Sequence, residues 1–284
     1  MNVRFIFFGS SLFSVIVLNE LLKAGFKPAA AVTIPDQPAG RGLKNRPSAV
    51  KQWAGGKAVP VLTPEKLNGD LIAAIKTFQP HFFITASYGK ILPNNLLRLP
   101  PRGALNVHPS LLPRYRGPSP VESVIMADDK KTGVSIIEMD DKMDHGPIVA
   151  AREVPATPWP PEAPFLEELL AGEGGRLLVD VIPAWLTGKL IAKPQDESLA
   201  TYTKKISKED GRIDLGDDPR KNFLKIKALA GWPGVYFFME RNGRKIRVII
   251  KQASLIRGKL LIDRVLPEGK KEMSYTDFLR GLKR

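Results

Sequence analysis

The sequence predicts an α/β protein: a mostly parallel sheet covered by helices, followed by a small β-rich second domain. Three observations carry this. Through the first half, fully apolar runs alternate with helix-spaced segments, the pattern of a parallel sheet buried on both faces. Beyond residue 207, turn-punctuated strands replace that alternation. The charge changes as well. Residues 204–284 hold 21 Lys/Arg against 10 Asp/Glu, whereas the first 203 hold 22 against 19.

The elements follow in order. VRFIFFG (3–9) is a continuous apolar run closed by a glycine and reads as a strand. SLFSVIVLNELLKAG (11–25) places apolar residues at helical spacing and stops at Gly25. AAAVTI (29–34) is a second strand. PDQPAGRGLKNRP (35–47) carries three prolines, two glycines and three cationic side chains, and reads as an exposed loop. A helix over 48–55, a strand over 59–63, a helix over 70–78 and a strand over 81–87 come next. Strands over 104–107, 133–139 and 148–154 enclose a helix near 119–127, and 165–188 is a longer helix. Residues 190–207 are polar, contain proline and lack a period; they read as a linker. Residues 235–240 and 245–256 flank RNGR as a hairpin, and 259–267 continues in strands.

Composition excludes several classes of function. The chain has no cysteine, which rules out a disulfide scaffold, a thiolate nucleophile and a Cys-ligated zinc site. No run approaches the ~20 apolar residues of a membrane span. MNVR leads directly into a strand, too short a lead for a secretory signal, so a cytoplasmic protein is expected. The net charge of +14 is concentrated in the last quarter and suggests a polyanionic partner, nucleic acid first. A solvated lysine-rich surface is the plainer alternative. FFGSSLF after the first strand lacks G-x-G-x-x-G, and no P-loop occurs, so the usual backbone cradles for dinucleotides and triphosphates are missing.

Chemistry concentrates in ALNVHPSLLPRYRGPSPVESV (104–124). Asn106 and His108 are two apart at a strand end and share a face. An amide and an imidazole so placed suit a carbonyl oxygen that becomes negative; capping a strand end is the plainer role. Ser110, Leu111, Leu112 and Pro113 are too apolar for a free loop and suit the wall of a pocket for a flat heteroaromatic ligand. Arg114 and Arg116 suit a carboxylate or phosphate, or solvent. EMDDKMDHG (138–146) follows a strand and offers Asp140 and Asp144 as partners that would orient His108. Spacing alone does not choose between them, and no spacing supports a metal site.

NVHPSLLPRYRG followed by TGVSIIEMDDKMDHGPI resembles the formyltransferases that use 10-formyltetrahydrofolate. FFGSSLFSVIVLNELLKAG, PDQPAGRGLK and MSYTDFLRG are similar to further segments of the branch whose acceptor is initiator methionyl-tRNA. The likeness covers nearly the whole chain. It implies a Rossmann-like catalytic domain over 1–189, a linker over 190–206, and a basic OB-like β-barrel over 207–284 that lies along the tRNA. It implies Asn106, His108 and Asp144 as the catalytic set, Asp144 being chosen by the resemblance. Ser110–Pro113, Tyr88, Gly89, Ile91, Leu92 and Asp140 would form the folate pocket. Arg41, with Lys44 and Arg46, would read the tRNA acceptor end. The formyl donor is 10-formyltetrahydrofolate, no metal is implied, and a monomer is expected. His145 stands where threonine is common, and FGSS lacks a proline often found after the first strand. Neither departure touches the catalytic set.

Other acceptors share that set. A small-amine formyltransferase would not need the basic C-terminal quarter, nor would a hydrolase that releases formate. A non-catalytic RNA-binding protein would not need Asn106, His108 and Asp144 together.

Overall fold

The computed structural model describes residues 3–39, 44–241 and 243–282. In chain order the elements are β1 (Phe5–Phe8), α1 (Leu12–Lys23), β2 (Ala30–Val32), β3 (Gln37–Ala39), β4 (Lys44–Arg46), α2 (Ala49–Gly55), β5 (Val61–Leu62), α3 (Gly69–Lys76), β6 (Phe82–Thr85), α4 (Asn94–Leu97) and β7 (Ala104–His108). They continue with α5 (Pro120–Met126), β8 (Gly133–Glu138), β9 (Ile148–Glu153), α6 (Ala163–Leu186), α7 (Pro219–Ala228), β10 (Val235–Arg241), β11 (Arg244–Ile256), β12 (Lys259–Pro267), β13 (Met273–Ser274) and α8 (Tyr275–Leu282).

The main sheet runs in the order β5-β2-β1-β6-β7-β8-β9. Its first five strands are parallel; β8 and β9 add antiparallel at one edge. The central strands are apolar except for Thr85 at the end of β6, because helices cover both faces: every residue of β1 and β6 is buried. Phe5 stacks on Phe82, and Phe8 meets Phe83 edge-on, with centroids 5.6 and 5.1 Å apart. Ser11 caps α1 by accepting from Ser14 N–H, while the Ser14 hydroxyl reaches back to the Ser11 backbone. The helix then buries Phe13, Val17, Leu18 and Leu21.

Two compact units result, and neither is continuous in the chain. The first takes the chain to Gly117 with Gly133–Val154 and Glu167–Tyr202; the second takes Pro118–Thr132, Pro155–Leu166 and the chain from Thr203. The second unit is an antiparallel sheet, order β10-β11-β12-β13, with α7 packed on β11 and β12. Its early segments are tied to α7 by Arg220, which donates to Asp128 at 2.7 and 3.1 Å, and by Lys227 on Glu162 at 3.1 Å.

Residues 35–47, expected as loop, contain a short hairpin. Gln37 pairs with Arg46, and Ala39 with Lys44. Its two ends meet. The hydroxyls of Thr33, just past β2, and Ser48, the N-cap of α2, lie 2.7 Å apart, and Thr33 also donates to Ser10 at 3.2 Å.

Candidate active site

The parallel strands end at one edge, where ligands of such sheets bind. Thr85 at the end of β6 lies in register with Asn106 of β7. The segments that follow the two strands, 86–92 and 109–117, therefore start side by side. Asn106 is half-buried and His108 buried. The loop between β8 and β9 brings Asp144 to both. Asn106 Nδ2 donates to Asp144 Oδ1 at 3.4 Å, and His108 Nδ1 lies 3.5 Å from Asp144 Oδ2. Gly117 N–H donates to the same Oδ2 at 2.8 Å.

The second ring nitrogen is committed. His108 Nε2 lies 2.9 Å from the Tyr115 carbonyl. A carbonyl only accepts, so Nε2 carries a proton and Nδ1 is the nitrogen left to gain or lose one. The backbone at Tyr115 is itself held, in a left-handed conformation (φ 62°), by its N–H to Thr201 Oγ1 at 2.7 Å.

Spacing left Asp140 and Asp144 open as partners of His108; the structure brings Asp144. Asp140 is engaged within its own loop, accepting from His145 Nδ1 at 2.6 Å and from Lys142 N–H at 3.0 Å. Ser110 directs its hydroxyl to the Arg114 carbonyl at 2.7 Å, and Leu112 N–H donates to Ser135 Oγ at 3.1 Å. Leu112–Pro113 is cis. These bonds fix the 110–113 segment beside His108. On the other flank, Tyr88 and Leu92 are buried in one cluster with partly buried Met139, next to Asp140. Gly89 has positive φ and open space where a side chain would stand, and Ile91 is exposed. Tyr88, Leu92, Ser110 and Leu112 are buried, so Ile91, Leu111 and Pro113 are the apolar side chains of these segments that leave surface for a flat heteroaromatic ligand.

Arg116, a candidate anion binder from sequence, is spent internally. Its fully buried guanidinium uses all five N–H donors on Gln195, Glu197 and Tyr202, at 2.6–3.0 Å. The hydrogen bonds to Glu197 raise its pKa further and lower that of Glu197. Gln195 and Glu197 lie in the segment that reads as linker, and no spacing pointed to them. Arg41 lies outside the described residues, as does the Lys44 side chain; Arg46 is exposed on β4. Among the described residues, no group of three His, Asp or Glu is placed to hold a metal, and no helix is long and apolar enough to cross a membrane.

Residues 1–182 match the family described as formyl transferase. A methionyl-tRNA formyltransferase from Dictyoglomus thermophilum is 38% identical over 98% of this chain and 97% of its own. One from Thermus thermophilus is 35% identical over 98% and 96%. Among solved structures, methionyl-tRNA formyltransferase from Clostridium thermocellum superposes with a TM-score of 0.63 at 18% identity, covering 93% of this chain and 98% of that one. A sugar N-formyltransferase from a Shewanella species superposes with a TM-score of 0.65 at 19% identity, covering 90% and 100%. At such identities the structural likeness speaks for the fold.

Proposed function

Because the chain belongs to the methionyl-tRNA formyltransferases, we propose that Asn106, His108 and Asp144 are the groups that carry its reaction. The enzyme transfers a formyl group from 10-formyltetrahydrofolate to the α-amine of methionyl-initiator tRNA. The observation that carries the assignment is the shared carboxylate: Asn106 Nδ2 and His108 Nδ1 both face Asp144, while Tyr115 fixes the proton on Nε2.

The amine attacks the formyl carbon, and the formyl oxygen becomes an alkoxide. His108 Nδ1 takes the proton that the amine loses. The resulting imidazolium, balanced by Asp144, stabilises the alkoxide together with the Asn106 amide. When the tetrahedral carbon collapses, its bond to folate N10 breaks and the same proton passes to N10. The products are the formylated amine and tetrahydrofolate, with no net proton left on the enzyme. Ser110–Pro113, Tyr88, Gly89, Ile91, Leu92 and Asp140 would hold the folate. Orientation of both substrates in one cleft supplies much of the rate.

Residues 207–284 form the basic tRNA-binding part in this reading, with 1–189 catalytic and 190–206 connecting them. The protein would act in the cytoplasm as a monomer. Arg41, Lys44 and Arg46 of the 35–47 segment would read the acceptor end.

Asn106→Ala should lower kcat by ~10²- to 10³-fold, the usual cost of one oxyanion donor, with folate binding retained. Asp144→Asn and His108→Ala should act in the same way. Full kcat in Asp144→Asn, measured with charged initiator tRNA, would sink the assignment. Arg41→Ala should raise KM for tRNA and leave folate binding unchanged; unaltered tRNA kinetics would remove the hairpin from acceptor recognition.

A further inference from the structure

We propose that Gln195, in the segment between the two sheets, is a positioning residue for Asp144, with Arg116 as the support that orients it. The proposal rests on the reading above, in which Asp144 acts in catalysis.

Asp144 has a left-handed backbone, φ 51°, although it is not a glycine. Such a conformation costs on the order of 1 kcal/mol or more and persists where its surroundings over-determine it. Gln195 supplies that determination. Its Nε2 donates to the Asp144 carbonyl and to the Gly146 carbonyl, each at 2.8 Å, and so bridges both sides of the turn. The opposite face of the turn is pressed against β8: a Cβ on Gly146 would stand 1.8 Å from the Glu138 carbonyl oxygen. The loop is thus clamped between a strand and an amide.

The orientation of that amide is not arbitrary. Gln195 Oε1 accepts from Arg116 Nε at 3.0 Å and from Nη2 at 2.8 Å. A flipped amide would set its NH₂ against the guanidinium and its oxygen against two carbonyls, losing all four bonds. Arg116 therefore forces the Gln195 donors toward Asp144. Its remaining donors go to Glu197 and Tyr202. A wholly buried, fully bonded guanidinium is a rigid support, because breaking one partner leaves charge without compensation. The chain Arg116–Gln195–Asp144–His108 runs from the core to the ring nitrogen that exchanges the proton.

The test is Gln195→Met, which keeps length and removes both donors, assayed alone and with Asp144→Asn. Gln195→Met alone should lower kcat by roughly 10- to 100-fold, as small misplacements do, with KM for both substrates within about twofold. In the Asp144→Asn background it should cost less than about threefold, because the group it positions is already disabled. Gln195→Asn, one methylene shorter, should fall on the same side if the Met variant does not fold. Equal losses in both backgrounds, or a loss carried by KM, would make Gln195 a plain structural residue and overturn the proposal. If Asp144→Asn itself keeps full kcat, the catalytic reading of Asp144 fails first, and that result is separately visible.

Discussion

Tyr88 carries its hydroxyl into the apolar cluster behind the site, where its ring meets Phe8 edge-on at 5.5 Å. Among the described residues that hydroxyl has no hydrogen-bond partner. Burial pushes its pKa up to about 12, from 10. An unpartnered buried hydroxyl is a cost of ~1–3 kcal/mol, so Tyr88→Phe should stabilise the fold by about 1 kcal/mol in urea titrations near pH 8. The pH dependence has a definite sign. A raised folded pKa favours the protonated form, so the wild type keeps its stability below pH 10 and loses some of it between about pH 10 and 12. Phe cannot ionise, so the advantage of Tyr88→Phe should widen above pH 10. A loss of stability at pH 8 would show that the hydroxyl does find a partner.

At the scale of elements, α6 shows how closely the scaffold approaches the site. A Cβ on Gly174 would stand 2.5 Å from Val107 Cγ1, the residue before His108. Gly172, two residues earlier, would meet only the end of Arg176 at 3.5 Å. Alanine favours a helix over glycine by ~1 kcal/mol, and overpacking a core costs ~1–3 kcal/mol. Gly172→Ala should therefore gain up to about 1 kcal/mol, while Gly174→Ala should lose stability and slow the reaction by displacing β7. Chemical denaturation of both variants decides it; equal effects would mean that α6 is not seated on β7 as described.

Apolar runs closed by glycine or polar turns make β1, α1, β2, β6 and β8 legible within a residue or two, because burial on both faces demands that composition. The hairpin of β3 and β4 is hidden: each strand has three residues, and Pro38 sits inside one. Helix α7 is hidden for a different reason. It buries Asn222, Leu224, Ile226 and Ala228, an alternation that imitates a strand. Only Asp218 as N-cap and Pro219 at the first turn advertise a helix. In the site, Asn106 and His108 stand out because a strand end puts them on one face. The Tyr115 carbonyl cannot stand out, since a backbone oxygen has no sequence signature. Gln195 reaches Asp144 from 51 residues away.

For the whole molecule, the proposed hold on the large substrate is one of charge. The chain carries +14, and +11 of it lies in residues 204–284. Phosphate contacts release counterions, so affinity for tRNA should fall steeply with salt. Between 50 and 200 mM KCl, KM for charged tRNA should rise by roughly tenfold or more. KM for the folate, which has few charges, should move by less than about twofold. Parallel steady-state titrations would check this, and a flat tRNA response would remove the basic region from binding.

The joined ends of the 35–47 hairpin have one more consequence. The chain leaves the sheet at Thr33 and returns at Ser48, with the two hydroxyls 2.7 Å apart. Whatever lies between starts and finishes at one point, so the sheet does not register its length. Lengthening a closed excursion of this kind costs little, about 0.6 kcal/mol per doubling. The hairpin is thus an interchangeable cartridge. Exchanging it between homologues, or grafting in a loop of another length, leaves β1, β2 and α2 as they stand. Sequence and length can diverge there while the strand ends of the sheet stay fixed.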